Sequence, residues 1–186
     1  MLKISSDIAN PQPEFAERTA PRKVTIVIDS REQAPFSFDG YPVEIEAGTL
    51  TTGDYSVPGF QDRVAVERKS LGDLLGCLTH DRERFTREME RLRGYESAAV
   101  VVEASFDALA AGNYRSRMNP DSAVQSVVSI IQAYRMPFFF AGDRRRAEAF
   151  VFDFLRHYGR HAEARYKAVC RWRSAENNNQ QQGGTQ

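Results

Sequence analysis

The chain has 186 residues, of which 41% are hydrophobic and 27% charged, so it is long enough for one domain with a proper core and short for two. No apolar run approaches the roughly 20 residues of a membrane span, and the N-terminus has no apolar secretory segment. Two cysteines and a net charge of +0 exclude a disulfide framework and a uniformly basic surface, and favour a reduced, intracellular setting.

The basic residues are unevenly distributed. Arg supplies 21 of the 25 basic residues, and residues 142–173 carry nine basic and four acidic side chains, a net of +5. Residues 1–141 carry 16 basic and 20 acidic side chains, a net of −4. Arg suits bidentate phosphate contacts better than Lys does, which points to nucleic acid, although genome base content explains the same composition equally well.

Polar segments are predicted at both ends, with strands between them in the first half. Residues 1–22 indicate a flexible leader, and the low-complexity residues 174–186 a disordered polar tail. Residues 23–30 and 42–50 are predicted strands. Residues 54–69 are predicted to form a hairpin around Pro58 and Gly59.

Helices alternate with strands in the second half. Ser70 is predicted to begin a long helix with Asp73 as its capping partner and an interruption of its apolar stripe near His80. A buried strand at 98–105 and a helix opened by Pro120 follow. Then come a strand at 136–142 with three buried phenylalanines, and a last helix that is capped by Asp143 and continues through at least Tyr158. This order predicts an α/β fold with a mixed central sheet flanked by helices.

Charged side chains stand at the end of one apolar strand, and these residues carry the candidate chemistry. Glu67 and Lys69 are two apart and share a strand face, while Arg68 points to the other. Asp54, which follows Gly53, lies where the hairpin can bring it opposite them. Two carboxylates suit magnesium or manganese, and a lysine beside them can orient a water, act as its base if its pKa is lowered, or stabilise an oxyanion. A simple Glu67–Lys69 salt bridge is the alternative.

The combined motifs resemble the XPF-type family of structure-specific endonucleases, which have a restriction-endonuclease-like fold. The matching residues are Gly53-Asp54-Tyr55, Glu67-Arg68-Lys69 with Asp73, and the upstream Asp29-Ser30-Arg31-Glu32. The strand that ends near Glu103 resembles the family's next strand. The resemblance covers roughly residues 24–158. It implies a nuclease domain over residues 23–160, followed by a basic helical extension over residues 161–173.

The resemblance implies a role for each matching residue. Asp54 and Glu67, with Asp29 as an additional ligand or a supporting residue, would bind Mg²⁺, for which Mn²⁺ would substitute, and Lys69 would serve the attacking water. The supporting residues would be Glu32, Arg31, Arg68 and Asp73, although Asp73 is as readily a helix cap. Either Arg82 or Arg84 would contact the phosphate of DNA, the expected partner. No small-molecule cofactor and no membrane are expected.

Several further features leave alternatives open. Arg115 and Arg117 lie in a short basic loop that suits a DNA backbone, or an ordinary exposed surface. The run Arg144–Arg146 suits phosphate binding or arises by chance. The apolar face of the last helix suits a homodimer or the core; it comprises Phe150, Val151, Phe154, Leu155 and Tyr158.

The expected function is that of a metal-dependent DNA endonuclease acting on branched or structured DNA in repair, recombination or genome processing. Nothing in the sequence fits the tandem helix-hairpin-helix module that many family members add, so a stand-alone prokaryotic or viral form is the closest likeness. The alternatives are a non-catalytic DNA-binding or partner-binding module on the same fold, a junction resolvase, and an RNA-directed nuclease.

Overall fold

The computed structural model describes residues 23–182 and contains six strands and five helices in that range. The predicted leader at 1–22 and residues 183–186 lie outside the described residues. The strands are β1 (Val24–Asp29), β2 (Val43–Gly48), β3 (Tyr55–Ser56), β4 (Val64–Lys69), β5 (Ser97–Val102) and β6 (Phe138–Phe140). The helices are α1 (Leu71–Leu78), α2 (Arg82–Arg93), α3 (Phe106–Ala110), α4 (Pro120–Tyr134) and α5 (Arg144–Gln182). None of the helices in this range is long and apolar enough to cross a bilayer.

The strands form one mixed sheet in the order β2-β1-β3-β4-β5-β6, which confirms the predicted α/β class. Only β3 runs against its neighbours, pairing antiparallel with β1 and β4, whereas the other pairs are parallel. The C-terminal ends of β1, β4 and β5 therefore meet at one edge of the sheet. Asp29 and Lys69 end two of these strands, so the topology gathers the predicted site residues.

Alternation along β4 divides the core into two layers. Ala65 faces a cluster formed with α1, α2 and α4, whereas Val64 and Val66 face a cluster formed with α5. Because side chains alternate along a strand, Glu67 and Lys69 belong to the α1/α2 side and Arg68 to the α5 side. The contacts described below bear this out.

The long helix predicted from Ser70 is divided into α1 and α2. The Thr79 hydroxyl donates to the carbonyls of Leu75 and Gly76, and the amide of Asp81 also donates to Gly76. These bonds end the first helix and turn the chain, although the apolar stripe by itself continues in phase. The short helix α3, which Ser105 caps, was not predicted.

Two other predictions differ from the structure. None of the three strand phenylalanines is fully buried, because β6 is an edge strand: Phe138 and Phe140 are half-buried, and Phe139 is 41% exposed and stacks on Phe150. Helix α5 continues to Gln182, so residues 174–182 are helical where a disordered tail was predicted. Extending an existing helix by one residue adds a hydrogen bond without a new nucleation cost, which lets a polar segment continue it.

Candidate active site

An open cavity of about 760 Å³ lies at the edge of the sheet where β1 and β4 end. Its lining includes Asp29, Asp54, Glu67 and Lys69 together with residues of α1 and α2. The predicted core of the site is therefore brought together. Two groups of charged residues share this edge. We call Asp54, Glu67, Lys69 and Glu88 the acid–lysine cluster, and Asp29, Arg31, Glu32, Arg68, Glu103 and Arg144 the arginine network.

Asp54 is fixed by the backbone on both sides of it. Gly53 has φ +80°, and a Cβ there would lie 2.8 Å from the Ala65 Cβ, so glycine is needed for this close approach. The Asp54 amide donates to the Val66 carbonyl at 2.9 Å, and its Oδ2 accepts from the Arg68 amide at 2.7 Å. Burial, with smaller contributions from Glu32 and Glu88, raises the pKa of Asp54 to about 7.

Glu67 and Lys69 form a buried ion pair, with residue exposures of 3% and 8%. Burial, and then repulsion from Asp54, raises the pKa of Glu67 well above its usual range. Burial alone would lower the pKa of Lys69, but Glu67 and Glu88 together raise it above its ordinary value. Lys69 is therefore protonated at neutral pH. This direction is opposite to the lowered pKa that a base role for Lys69 requires, so the contacts favour its positive charge as its chemical contribution.

Glu88 belongs to this cluster but was not predicted as a site residue. Its Oε2 lies 3.8 Å from Lys69 Nζ, and its side chain is only 14% exposed. By its spacing from the arginines around it, Glu88 also suits an ion pair on a solvated helix face. A signal was available, because Glu88 follows the buried Phe85 by three residues and so shares its side of α2.

Asp29 has both carboxylate oxygens occupied. Oδ1 accepts from the amide and Nε of Arg31, each at 2.8 Å, and Oδ2 accepts from Arg31 Nη2 and the Leu50 amide. The Arg31 side chain therefore holds the pKa of Asp29 at about 2, against the opposing effect of burial. The metal role predicted for Asp29 stays a prediction. Its hydrogen bonds connect the loop after β1 to Leu50.

Arg68 points to the other side of β4, as predicted, and joins the arginine network. Its guanidinium lies 3.3 Å from Glu32 and 3.0 Å from Glu103, with all three side chains at most 13% exposed. Arg144 donates to Glu103 at 2.6 Å and to the carbonyls of Ala34 and Pro35. Arg144 therefore has structural partners in place of the phosphate contact considered for it.

The remaining predicted residues lie at or beyond the rim. Asp73 lines the cavity, but its amide donates to Ser70 Oγ and its Oδ2 accepts from that hydroxyl, which supports its reading as a cap. Arg84 lines the cavity, whereas Arg82 does not appear in its lining. The exposed Arg115 and Arg117 precede α4 and lie outside that lining. Their DNA contacts stay predictions.

The predicted apolar face of the last helix is only partly buried in the core. Val151, Leu155 and Tyr158 are buried within the domain, and Phe150 and Phe154 are half-buried. The core interpretation therefore holds for three of the five residues. The homodimer stays a prediction.

A divalent cation fits the acid–lysine cluster as an incomplete site. Within residues 23–182, no group of three or more His, Cys, Asp or Glu side chains is arranged to hold a metal ion on its own. Magnesium, however, commonly takes only one or two carboxylates and completes its shell with water and phosphate oxygens. The half-buried Asp54 and the buried Glu67 supply two carboxylates. The charge of Asp54 disfavours the ionised form of Glu67, and a cation would relieve that repulsion.

Comparison with known proteins places this geometry in a wider context. A family model described as the ERCC4 domain matches residues 28–154. No curated protein matches the sequence. Among solved structures, XPF from Aeropyrum pernix superposes with a TM-score of 0.59 at 22% identity, covering 72% of this chain and 61% of that one. XPF from Aeropyrum pernix in complex with DNA gives 0.58 at 20% identity, covering 74% and 66%. This chain thus spans less than two thirds of those chains, and at this identity the likeness shows the fold.

Proposed function

The chain belongs to the ERCC4 domain family, and from that premise we propose that it is a metal-dependent DNA endonuclease. The resemblance to XPF-type nucleases and the restriction-endonuclease-like fold expected from the motifs are confirmed. The observation that carries the proposal is the acid–lysine cluster, in which the half-buried Asp54, the buried Glu67 and a protonated lysine line an open cavity. Three acids and one lysine give this cluster a net charge of −2 when all are ionised, which calls for a cation.

DNA is the proposed substrate. The ERCC4 domain match and the solved complex of the Aeropyrum pernix XPF with DNA support a nucleic-acid partner here. Branched or otherwise structured DNA, encountered in repair, recombination or genome processing, is the substrate class that we propose within this family.

Asp54 and Glu67 would hold Mg²⁺ or Mn²⁺. When bound, such an ion neutralises charge on a phosphodiester and lowers the pKa of a bound water. The proposal does not require Asp29 as a ligand, since its oxygens already accept four hydrogen bonds.

The chain's own residues would stabilise the charge that develops when water attacks the phosphorus atom in line with the leaving oxygen. Lys69 keeps its proton and presents a fixed positive charge where the pentavalent oxyanion forms. Arg84 lies at the cavity rim with a side chain that is 61% exposed, and it would exchange its ion pair with Asp81, at 3.6 Å, for a phosphate oxygen. Asp54 is held by the Arg68 amide, so its carboxylate is oriented before substrate arrives.

The test is cleavage of labelled DNA by the wild type and by Lys69→Ala. The panel contains single strands, duplex, flap, fork and four-way junction, each with Mg²⁺, Mn²⁺ or EDTA. We expect metal-dependent cutting that falls by roughly 100-fold or more in Lys69→Ala. Lys167→Ala is the matched control, because that lysine is exposed and forms its ion pair with Glu163, one turn away on the same helix.

Thermal melting of each variant separates lost chemistry from lost folding. Cleavage that persists in a folded Lys69→Ala would refute the assignment of the site. Binding of DNA without cleavage of any substrate by the folded wild type would instead support the non-catalytic binding module.

A further inference from the structure

The burial of the Glu88 carboxylate is not explained by contacts with its neighbours on α2. Its Oε2 is buried and accepts no hydrogen bond from the residues that the structure describes. Two arginines within one turn of it pair elsewhere: Arg84 lies 3.6 Å from Asp81, and Arg87 lies 3.8 Å from Glu83. A buried acceptor without a partner costs free energy, so the position of Glu88 calls for a role beyond helix stability.

Two charged groups border Glu88: the ammonium of Lys69, and the carboxyl of Glu67, whose pKa Glu88 helps to raise. Nζ of Lys69 pairs directly with Glu67 and lies 3.8 Å from Glu88 Oε2, a distance that a small rotation of either side chain closes. An ammonium has three donors and can satisfy two carboxylates, or move from one to the other. Phe85 borders the same ammonium, whose Nζ is 5.6 Å from the ring centroid, and limits where it can go.

The ion pair with Lys69 competes with any cation for Glu67. An oxygen of Glu67 that is bonded to an ammonium is a weaker ligand, because the positive charge of Lys69 repels a second positive charge. A second carboxylate that takes up the ammonium removes this competition without expelling Lys69 from the site. Glu88 is the carboxylate placed to do so.

We propose that Glu88 is a positioning residue that takes over the Lys69 ammonium when Glu67 turns its oxygens towards a divalent cation. The cation half of this idea rests on the proposed function. The hold of Glu88 on Lys69 does not, since it follows from the contacts of the two side chains. Glu88 touches neither substrate nor cation and acts through Lys69.

A double-mutant cycle on Mn²⁺ affinity tests the exchange of partners. The free ion is measured by electron paramagnetic resonance with the full chain as wild type, Glu88→Gln, Lys69→Met and the double variant. We expect Glu88→Gln to weaken Mn²⁺ binding roughly fivefold when Lys69 is present, and less than about twofold in the Lys69→Met background, where no ammonium needs a new partner. An equal loss in both backgrounds, or no loss at all, would overturn the proposal.

Two variants guard against trivial explanations. Glu83→Gln removes one charge from the same helix at a side chain that is 92% exposed, and it should leave Mn²⁺ affinity unchanged. Glu88→Asp keeps the charge but shortens the reach, and it should fall between wild type and Glu88→Gln. A Glu88→Asp protein that binds Mn²⁺ no better than Glu88→Gln, with both melting like the wild type, would argue against a role for the charge.

A second measurement reports on Lys69 without any metal. Competitive acetylation with acetic anhydride, read by mass spectrometry, compares Lys69 with the exposed Lys23 in the same molecule. Loss of one of its two carboxylates should make Lys69 react severalfold faster in Glu88→Gln, and unchanged reactivity would overturn the hold of Glu88 on Lys69. If the wild type neither binds Mn²⁺ nor cuts DNA, the proposed function and the exchange of partners both fail, and acetylation still decides the contact.

Discussion

The acid–lysine cluster and the arginine network lie at the same edge of the sheet, yet they balance charge in different ways. The arginine network contains three acids and three arginines, so its charges balance, and its contacts use both oxygens of Asp29 and several donors of Arg68 and Arg144, although Nε of Arg68 is buried without a partner among the described residues. The acid–lysine cluster contains three acids and only one lysine, and it leaves a buried oxygen of Glu88 without a hydrogen bond.

This difference in charge balance indicates that the arginine network stabilises the fold and that the acid–lysine cluster serves the reaction. Ion pairs whose charges balance need no further ion, and they lower the free energy of the folded state only when geometry compensates for desolvation. Buried acids that outnumber their cations raise the free energy of the folded state. Such groups are found where a bound ligand supplies the missing positive charge. We therefore expect substitutions in the acid–lysine cluster to change activity, and substitutions in the arginine network to change stability.

The largest effect is expected for Asp54→Asn. It should reduce cleavage on the order of 10³-fold, because one of the two proposed metal ligands loses its charge. Its unfolding free energy at pH 7 should be no lower than that of the wild type. Since the pKa of Asp54 rises from 3.8 to about 7 on folding, the wild type loses stability as pH increases through that interval, and the amide does not.

Chemical denaturation at pH 4 and pH 7, together with cleavage rates, checks this prediction. Asn at this position keeps the shape of Asp and leaves the Arg68 amide an acceptor. A variant that cuts DNA normally and is less stable at pH 7 would show that Asp54 belongs to the scaffold.

Asp29→Asn should show the opposite behaviour. We expect a loss of about 2 kcal/mol in unfolding free energy at pH 7, a modest value because the Arg31 side chain is 66% exposed and its ion pair is screened by solvent. The pKa of Asp29 is lowered to about 2 on folding, so its stabilisation is present above about pH 4 and is lost as pH falls towards 2.

Urea denaturation of wild type and Asp29→Asn between pH 2 and pH 7 tests this, with the exposed Asp39→Asn as a control. The difference between the curves should close at low pH. A difference that is independent of pH would mean that the connection to Leu50 does not depend on the charge of Asp29.

Arg144→Ala should lower the unfolding free energy by about 1–2 kcal/mol. It removes an ion pair to Glu103, two bonds to carbonyls, and a guanidinium 4.7 Å from the centre of the Phe36 ring. Thermal melting beside Arg145→Ala, the exposed neighbour, makes the comparison. Loss of DNA affinity without loss of stability would restore the phosphate contact considered from the sequence.

The smallest effect separates two arginines on α2. Arg84→Ala should weaken DNA binding or cleavage by roughly tenfold, because Arg84 lines the cavity, and Arg82→Ala by less than about twofold. Fluorescence anisotropy with labelled DNA at fixed salt measures both, since phosphate contacts depend on salt. Equal losses in the two variants would show that only the general charge of the helix matters.

Much of this contrast could be predicted from local sequence patterns. The period of two along β4 placed Glu67 and Lys69 on one face and Arg68 on the other, and the hairpin brought Asp54 to them. The Ser70–Asp73 cap was equally local. Such features depend on neighbours within a few residues, where backbone geometry leaves little choice.

Tertiary packing decided which charges are completed. Glu88 reaches Lys69 only because the chain turns at Thr79–Asp81 and packs α2 beside β4, and Arg144 reaches Glu103 across 41 residues of chain. The same packing selected Arg84 over Arg82 for the cavity and kept Lys69 protonated between two carboxylates. The sequence by itself determined the strands, the motif and the shared face of Glu67 and Lys69, because these follow from local geometry; burial and long-range pairing depend on how the helices pack, so only the folded structure decided them.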